Sequence, residues 1–227
     1  MAAPLPDSFA ASRDSLRALA CYAVSPARKA RTGRIGLRPV DGGFGTPPFD
    51  DGSRIVVRGD RLARRPGPDI PITTVRAAAR FLEVEPAPDP GVGQDLPPYE
   101  PDRPLAVDPD ASLALGEWYA YGQRTVDEFG RLLGSGDSMS ETQIWPEHFD
   151  LASQVTLDGG IQLNVGFSPG DGFSAEPYVY VGPAERDGLG DGYWNAPFGA
   201  YRRRGEVGEP LDFLRRGLEL LRAGPRR

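Results

Sequence analysis

Residues 147–168 constrain the fold of this chain more than any other stretch. Phe149, Leu151, Val155 and Leu157 share one side of a strand, and Ile161, Leu163, Val165 and Phe167 share one side of the next. Between them Asp158-Gly159-Gly160 suits a three-residue hairpin loop with a glycine in the left-handed position. Pairing Leu157 with Ile161 sets Val155 opposite Leu163 and Leu151 opposite Phe167, so the apolar side chains meet on one face. The other face then receives His148, Asp150, Gln154, Asn164 and Ser168, with Asp150 opposite Ser168. A third strand over 176–181 adds Glu176, Tyr178 and Tyr180 to that polar face if it pairs alongside.

Helical periodicity brackets this β-rich region. Ser8 suits an N-cap for a helix running towards Tyr22, and Thr73 or Thr74 caps a short helix with Val75, Ala78, Ala79 and Leu82 inward. Asp108 or Asp110 starts the longest helix, which stops at Gly134-Ser135-Gly136; Ser138 and Glu141 have capping-box spacing. Pro210 opens a last helix with Leu211, Leu214, Leu218 and Leu221 as its inward stripe. Residues 34–40 and 54–58 read as strands joined by a Gly- and Pro-rich turn. The expected architecture is α+β, with antiparallel sheet and helices packed on one face, and rich in loops. Eight prolines within 84–109 read as an extended connection. This divides the chain into an N-terminal α+β subdomain at 1–83, the connection, and a helix-plus-sheet subdomain at 110–227, or joins them as one continuous domain.

Single occurrences exclude whole classes of chemistry. The 227 residues hold one His, one Cys and one Lys beside 25 Arg. One Cys excludes an internal disulfide, and one Cys with one His excludes a zinc site of three or four His and Cys ligands. No P-loop or dinucleotide glycine motif is present, so no cofactor is expected. A divalent ion would need oxygen ligands around the one His, at His148, Asp150, Asp171 and Glu176, which the spacing supports only weakly, and no metal is expected. Net charge is -6, distributed as +7 over 1–82, -17 over 83–200 and +4 over 201–227. Short arginine runs at 64–65 and 202–204, without interleaved aromatics, argue against a nucleic-acid surface. No stretch reaches the roughly 18 to 20 apolar residues of a membrane span, and the N-terminus lacks a secretory pattern. The expectation is a cytoplasmic protein without membrane contact; nothing in the sequence fixes its oligomeric state.

His148 is the one imidazole, and Asp150 two residues on is placed to orient it for acid–base work. Gly166-Phe167-Ser168-Pro169-Gly170 matches G-x-S-x-G, but no helix follows the serine and the only His precedes it, which speaks against a hydrolase elbow. The catalytic candidates are His148, Asp150, Ser168 and Glu176. Trp145, Glu147, Asn164, Asp171, Tyr178, Trp194 and Asn195 are candidate ligand contacts around a pocket beside 145–150 and the loop 168–172. The leading expectation is binding of a small polar ligand. The alternatives are an enzyme of hydrolase or isomerase type using His148 as general acid or base, and a protein–protein interaction module.

Trp145-Pro146-Glu147-His148-Phe149-Asp150-Leu151-Ala152, with Gly166-Phe167-Ser168-Pro169-Gly170-Asp171 and Glu176-Pro177-Tyr178, resembles an uncharacterised actinobacterial protein family marked by a W-P-x-H-F-D-L motif. Tyr193-Trp194-Asn195-Ala196-Pro197-Phe198 resembles the aromatic segment that follows in that family. The resemblance implies one recurring module and carries no activity.

Overall fold

A computed structural model describes residues 4–186 and 192–224. It is an α+β fold with two antiparallel sheets, of five and six strands. The chain forms two compact units: Ala3–Ala120 with Gln143–Asp150, and Tyr121–Thr142 with Leu151–Arg227. No described helix is long and apolar enough to cross a membrane.

The first unit opens with a continuous helical run: α1 (Phe9–Leu19), a π-helical turn (Ala20–Val24) and α2 (Ser25–Thr32). In the π turn the N–H of Ser25 reaches back to the Ala20 carbonyl, and all five of its residues are buried. Ser8 has helical backbone and does not cap α1; its hydroxyl donates instead to Asp108 Oδ2 at 2.9 Å. Five short strands follow: β1 (Arg38–Val40), β2 (Gly43–Gly45), β3 (Arg54–Arg58), β4 (Arg61–Arg65) and β5 (Asp69–Pro71), paired in sequence order. The glycine-rich stretch read as a turn thus contributes a strand of its own. Phe44, Ile55, Val57 and Leu62 lie on one face of this sheet and are buried.

Thr74 caps α3 (Val75–Leu82), its Oγ1 accepting from the Ala77 N–H at 3.1 Å. The proline-rich stretch 84–109 is fastened to the helices. Val92 is fully buried against Cys21, Tyr22 and Val75; the Leu105 N–H donates to the Thr73 carbonyl at 2.8 Å, and the Ala106 N–H to Ser15 Oγ at 3.0 Å. Asp108 then caps α4 (Pro109–Gly130), accepting from the N–H groups of Asp110 and Ala111 at 2.8 and 3.2 Å.

The second unit takes the latter half of α4, then β6 (Ser138–Met139), while β7 (Gln143–Trp145) belongs to the first unit, where Ile144 bridges Leu37. Ser138 is therefore a strand residue paired with Thr156, not a helix cap. The hairpin of β8 (Asp150–Thr156) and β9 (Gln162–Ser168) has the expected register: Leu151 faces Phe167 and Val155 faces Leu163. Gly159 and Gly160, at φ of 91° and 86°, make its turn. β10 (Tyr178–Pro183) pairs with β9, and β11 (Ala200–Arg203) pairs with β10. Gly122 of α4 packs on Leu151 and Phe167, and Gly217 of α5 (Pro210–Ala223) packs on Val181, so both helices cover the same sheet face. At either glycine a methyl group would meet these side chains within about 3.1 Å.

Candidate functional site

The segment Trp145–Asp150 is where the alternating pattern breaks. Pro146 has no N–H to give a ladder, and residues 146–149 turn instead of extending. The Phe149 N–H closes the turn on the Trp145 carbonyl at 2.6 Å. Phe149 adopts φ +56°, a left-handed conformation rare for a bulky side chain. Tertiary contacts hold it there. Its ring is buried, edge-on to Phe44 at 5.2 Å and to Tyr119 at 5.8 Å between centroids. Its carbonyl accepts from the Tyr119 hydroxyl at 2.5 Å.

This left-handed residue undoes the expectation that His148 and Asp150 share a strand face. Asp150 is buried, whereas the His148 side chain is 60% exposed. The carboxylate beside the imidazole is Asp95, from the proline-rich stretch, with Oδ2 4.0 Å from His148 Nδ1.

The first helical run supports the turn from below. Arg17 and Cys21, four residues apart, lie on one side of it. Arg17 donates through Nε, at 2.8 Å, and Nη2 to the Glu147 carbonyl, and through Nη2 to the Asp95 carbonyl at 2.6 Å. The Cys21 thiol donates to the Pro146 carbonyl at 3.0 Å, and burial pushes its pKa up to about 12. Cys21 is therefore a structural donor, not a nucleophile.

Glu147 is the anomaly. Its stem lies against the Gly93 backbone, where a Cβ on that glycine would sit 2.6 Å from Glu147 Cβ, Cγ and Cδ. Its Oε2 is sealed from solvent and has no hydrogen-bond partner. Burial raises the carboxyl above its ordinary pKa; the charge of Asp150 adds to this, while its own backbone N–H, His148 and Arg17 oppose it.

The remaining sequence candidates lie in the second unit, where most of them engage their own near neighbours and Asp171 is bonded to Tyr178. Ser168 is buried, and its Oγ accepts from the Gly170 N–H at 3.1 Å. Asp171 Oδ1 accepts from the N–H groups of Phe173 and Ser174 at 2.8 and 3.1 Å, and its Oδ2 takes the Tyr178 hydroxyl at 2.7 Å. Glu176 is exposed and precedes β10, and its carbonyl accepts from Ser174 Oγ at 3.0 Å. Asn164 is exposed opposite Gln154. Asn195 clasps the Tyr201 backbone, accepting at 3.0 Å and donating at 3.3 Å. Trp194 packs edge-on to Tyr193 at 4.8 Å. Tyr178 and Tyr180 share a sheet face as expected, and Phe173, Phe198 and Tyr201 join them in an aromatic cluster. Tyr180 lies across Gly166, where any side chain would occupy its ring.

Of the sequence candidates, the first unit therefore brings together Trp145, Glu147, His148 and Asp150. Arg17, Gly93 and Asp95 join them without any local sequence signal, since only tertiary packing carries the helix and the proline-rich stretch to the turn. Among the described residues no group of three or more His, Cys, Asp or Glu is placed to hold a metal ion. Comparison with protein-family models, curated proteins and solved structures finds no match.

Proposed function

We propose that this is a binding protein for a small polar ligand, received at the 145–150 turn with a donor group of the ligand, an N–H or a hydroxyl, on the Glu147 carboxyl. One observation carries this reading: Glu147 Oε2 is a buried carboxyl oxygen without a partner at this turn, a status it shares among the described residues with side-chain atoms of Arg28, Ser112 and Gln123, whereas the candidates Ser168, Asp171 and Asn195 each have bonds of their own. A sealed polar atom without a partner costs about 1–3 kcal/mol, and a bound donor is one of the arrangements that offset such a cost. The Phe149 backbone, held in a sparsely populated conformation by Tyr119 and Phe44, is the kind of local strain that gathers at ligand sites. Gly93 packs directly on the Glu147 stem with backbone alone, so a side chain there would displace Glu147. A cytoplasmic setting goes with this reading, supported by the single unpaired thiol.

The test is a thermal-shift screen of small amines, amino acids, amides and sugars against the wild type and Glu147→Gln, with Asn164→Ala as an exposed control. A ligand of this site raises the wild-type melting temperature with concentration, as binding to the folded state requires. It raises that of Asn164→Ala equally and loses its effect on Glu147→Gln. A panel without any stabilising member, or equal stabilisation of Glu147→Gln, contradicts the reading.

A second reading, acid–base catalysis, is favoured by the approach of His148 to Asp95 at 4.0 Å next to the Glu147 carboxyl. It makes His148 the proton carrier and Asp95, not Asp150, the group that orients it. If His148→Gln leaves turnover of a bound ligand intact, that reading falls and ligand binding stands.

A further inference from the structure

The register of the five-stranded sheet gathers charge that no run of sequence displays. Arg54 lies directly opposite Arg65, and Arg58 directly opposite Arg61, with Val56 opposite Ala63 between the two pairs. Side-chain alternation puts all of these on the face turned away from Phe44, Ile55, Val57 and Leu62. The four arginines line a groove of about 490 Å³, together with Val40, Asp41 and Asp69. That volume is in the range of small-molecule sites.

Like charges directly opposite each other weaken a strand pair, and this sheet has two such pairs in adjacent strands. Its own carboxylates neutralise them only in part. Asp69 alone serves both Arg61 and Arg65, through Oδ1 to Arg61 Nε at 3.0 Å and Oδ2 to Arg65 Nη2 at 3.3 Å. Asp41 stands 3.6 Å from Arg58 Nη2 and is 93% exposed. The Arg54 side chain makes no hydrogen bond or ion pair among the described residues. Four guanidinium groups thus face two carboxylates, around a floor of Val56 and Ala63.

We propose that this groove is a binding site for an oligophosphate, a small molecule carrying two or more linked phosphate groups. Each cross-strand arginine pair offers two forks to one phosphate. The pairs lie four residues apart along β3, about 13 Å between Cα atoms at the usual rise of a strand. The arginine side chains are long enough to lean inward over the intervening valine and alanine, so linked phosphates engage both pairs where a single phosphate engages one. A long polyanion fits less well, since the chain as a whole carries -6 and repels an extended negative partner. This site is independent of the 145–150 turn.

Isothermal titration with inorganic tripolyphosphate at physiological ionic strength tests the proposal. The wild type is expected to bind saturably and more tightly than it binds orthophosphate. Arg54→Gln with Arg58→Gln is expected to weaken binding about tenfold or more, while Arg34→Gln, an exposed arginine outside the groove, leaves it unchanged. Should the double variant melt early, Arg54→Gln alone removes an exposed side chain without partners and still weakens binding. Absence of saturable binding, unchanged affinity in the groove variants, or an equal loss in Arg34→Gln overturns the proposal. Equal affinity for orthophosphate and tripolyphosphate overturns it too.

Discussion

The Tyr119 hydroxyl donates at 2.5 Å to the carbonyl of Phe149, a residue at φ +56°, so a helix residue holds a strained turn in place through one buried hydrogen bond. Tyr119 is fully buried, and burial holds its phenol well above its ordinary pKa, so the donor keeps its proton at neutral pH. Replacement by Phe keeps the ring beside Phe149 but leaves a buried carbonyl without its donor. Tyr119→Phe should cost about 1–3 kcal/mol, read as a lower urea midpoint with an unchanged slope. An unchanged midpoint would mean that the turn holds its shape without this bond.

Glu147→Gln separates the cost of the buried carboxylate from the rest of the turn. Its folded-state pKa is raised, so the folded protein holds the proton to higher pH than the unfolded chain does. Wild-type stability therefore falls as pH rises from the ordinary glutamate range through the raised value, and the cost is complete above it. Gln carries no charge and escapes that cost. The variant should be more stable than the wild type at neutral pH, and the advantage should vanish on acidification. Calorimetry across pH reads both, and a variant less stable at neutral pH contradicts the assignment.

Cys21 should resist alkylation. Its thiol is buried, bonded to the Pro146 carbonyl and held at a pKa of about 12, so almost no thiolate exists near neutrality. Labelling by iodoacetamide should be negligible in the native protein and complete in denaturant; rapid native labelling would show that the π turn opens.

Glu83 ends α3 at φ 60°, where glycine is the favoured residue. Its exposed ion pair with Arg64 contributes little in compensation. Glu83→Gly should therefore raise stability by about 0.5–1 kcal/mol, measured by denaturant unfolding.

Sequence reasoning is strongest where a period repeats and weakest where packing overrides it. Strict alternation around Asp158-Gly159-Gly160 was enough to pair Leu151 with Phe167, because slipping by one residue would move Leu163 and Val165 to the wrong face. The α3 cap, narrowed to Thr73 or Thr74, the α4 start, narrowed to Asp108 or Asp110, and the stripe Leu214, Leu218 and Leu221 were legible for the same local reasons. The site was legible only in part. Glu147 and His148 stand out by composition and motif. The exposure of His148 follows from one left-handed Phe, which no periodicity announces. The π turn, the pairing of His148 with Asp95 and the support from Arg17 depend on contacts 53 to 130 residues apart. The arginine groove was hidden for a related reason: four separate residues on two strands become one charged face only through the ladder.

Glu147 holds a buried carboxyl oxygen without a protein partner. Side-chain carboxyl ¹³C NMR, followed against pH with Glu147→Gln to assign its signal, tests this most directly. The expected result is a titration midpoint for Glu147 clearly above that of the exposed glutamates. A midpoint at or below theirs would show that the oxygen is solvated or already partnered, and the site proposed at the 145–150 turn would be lost with it.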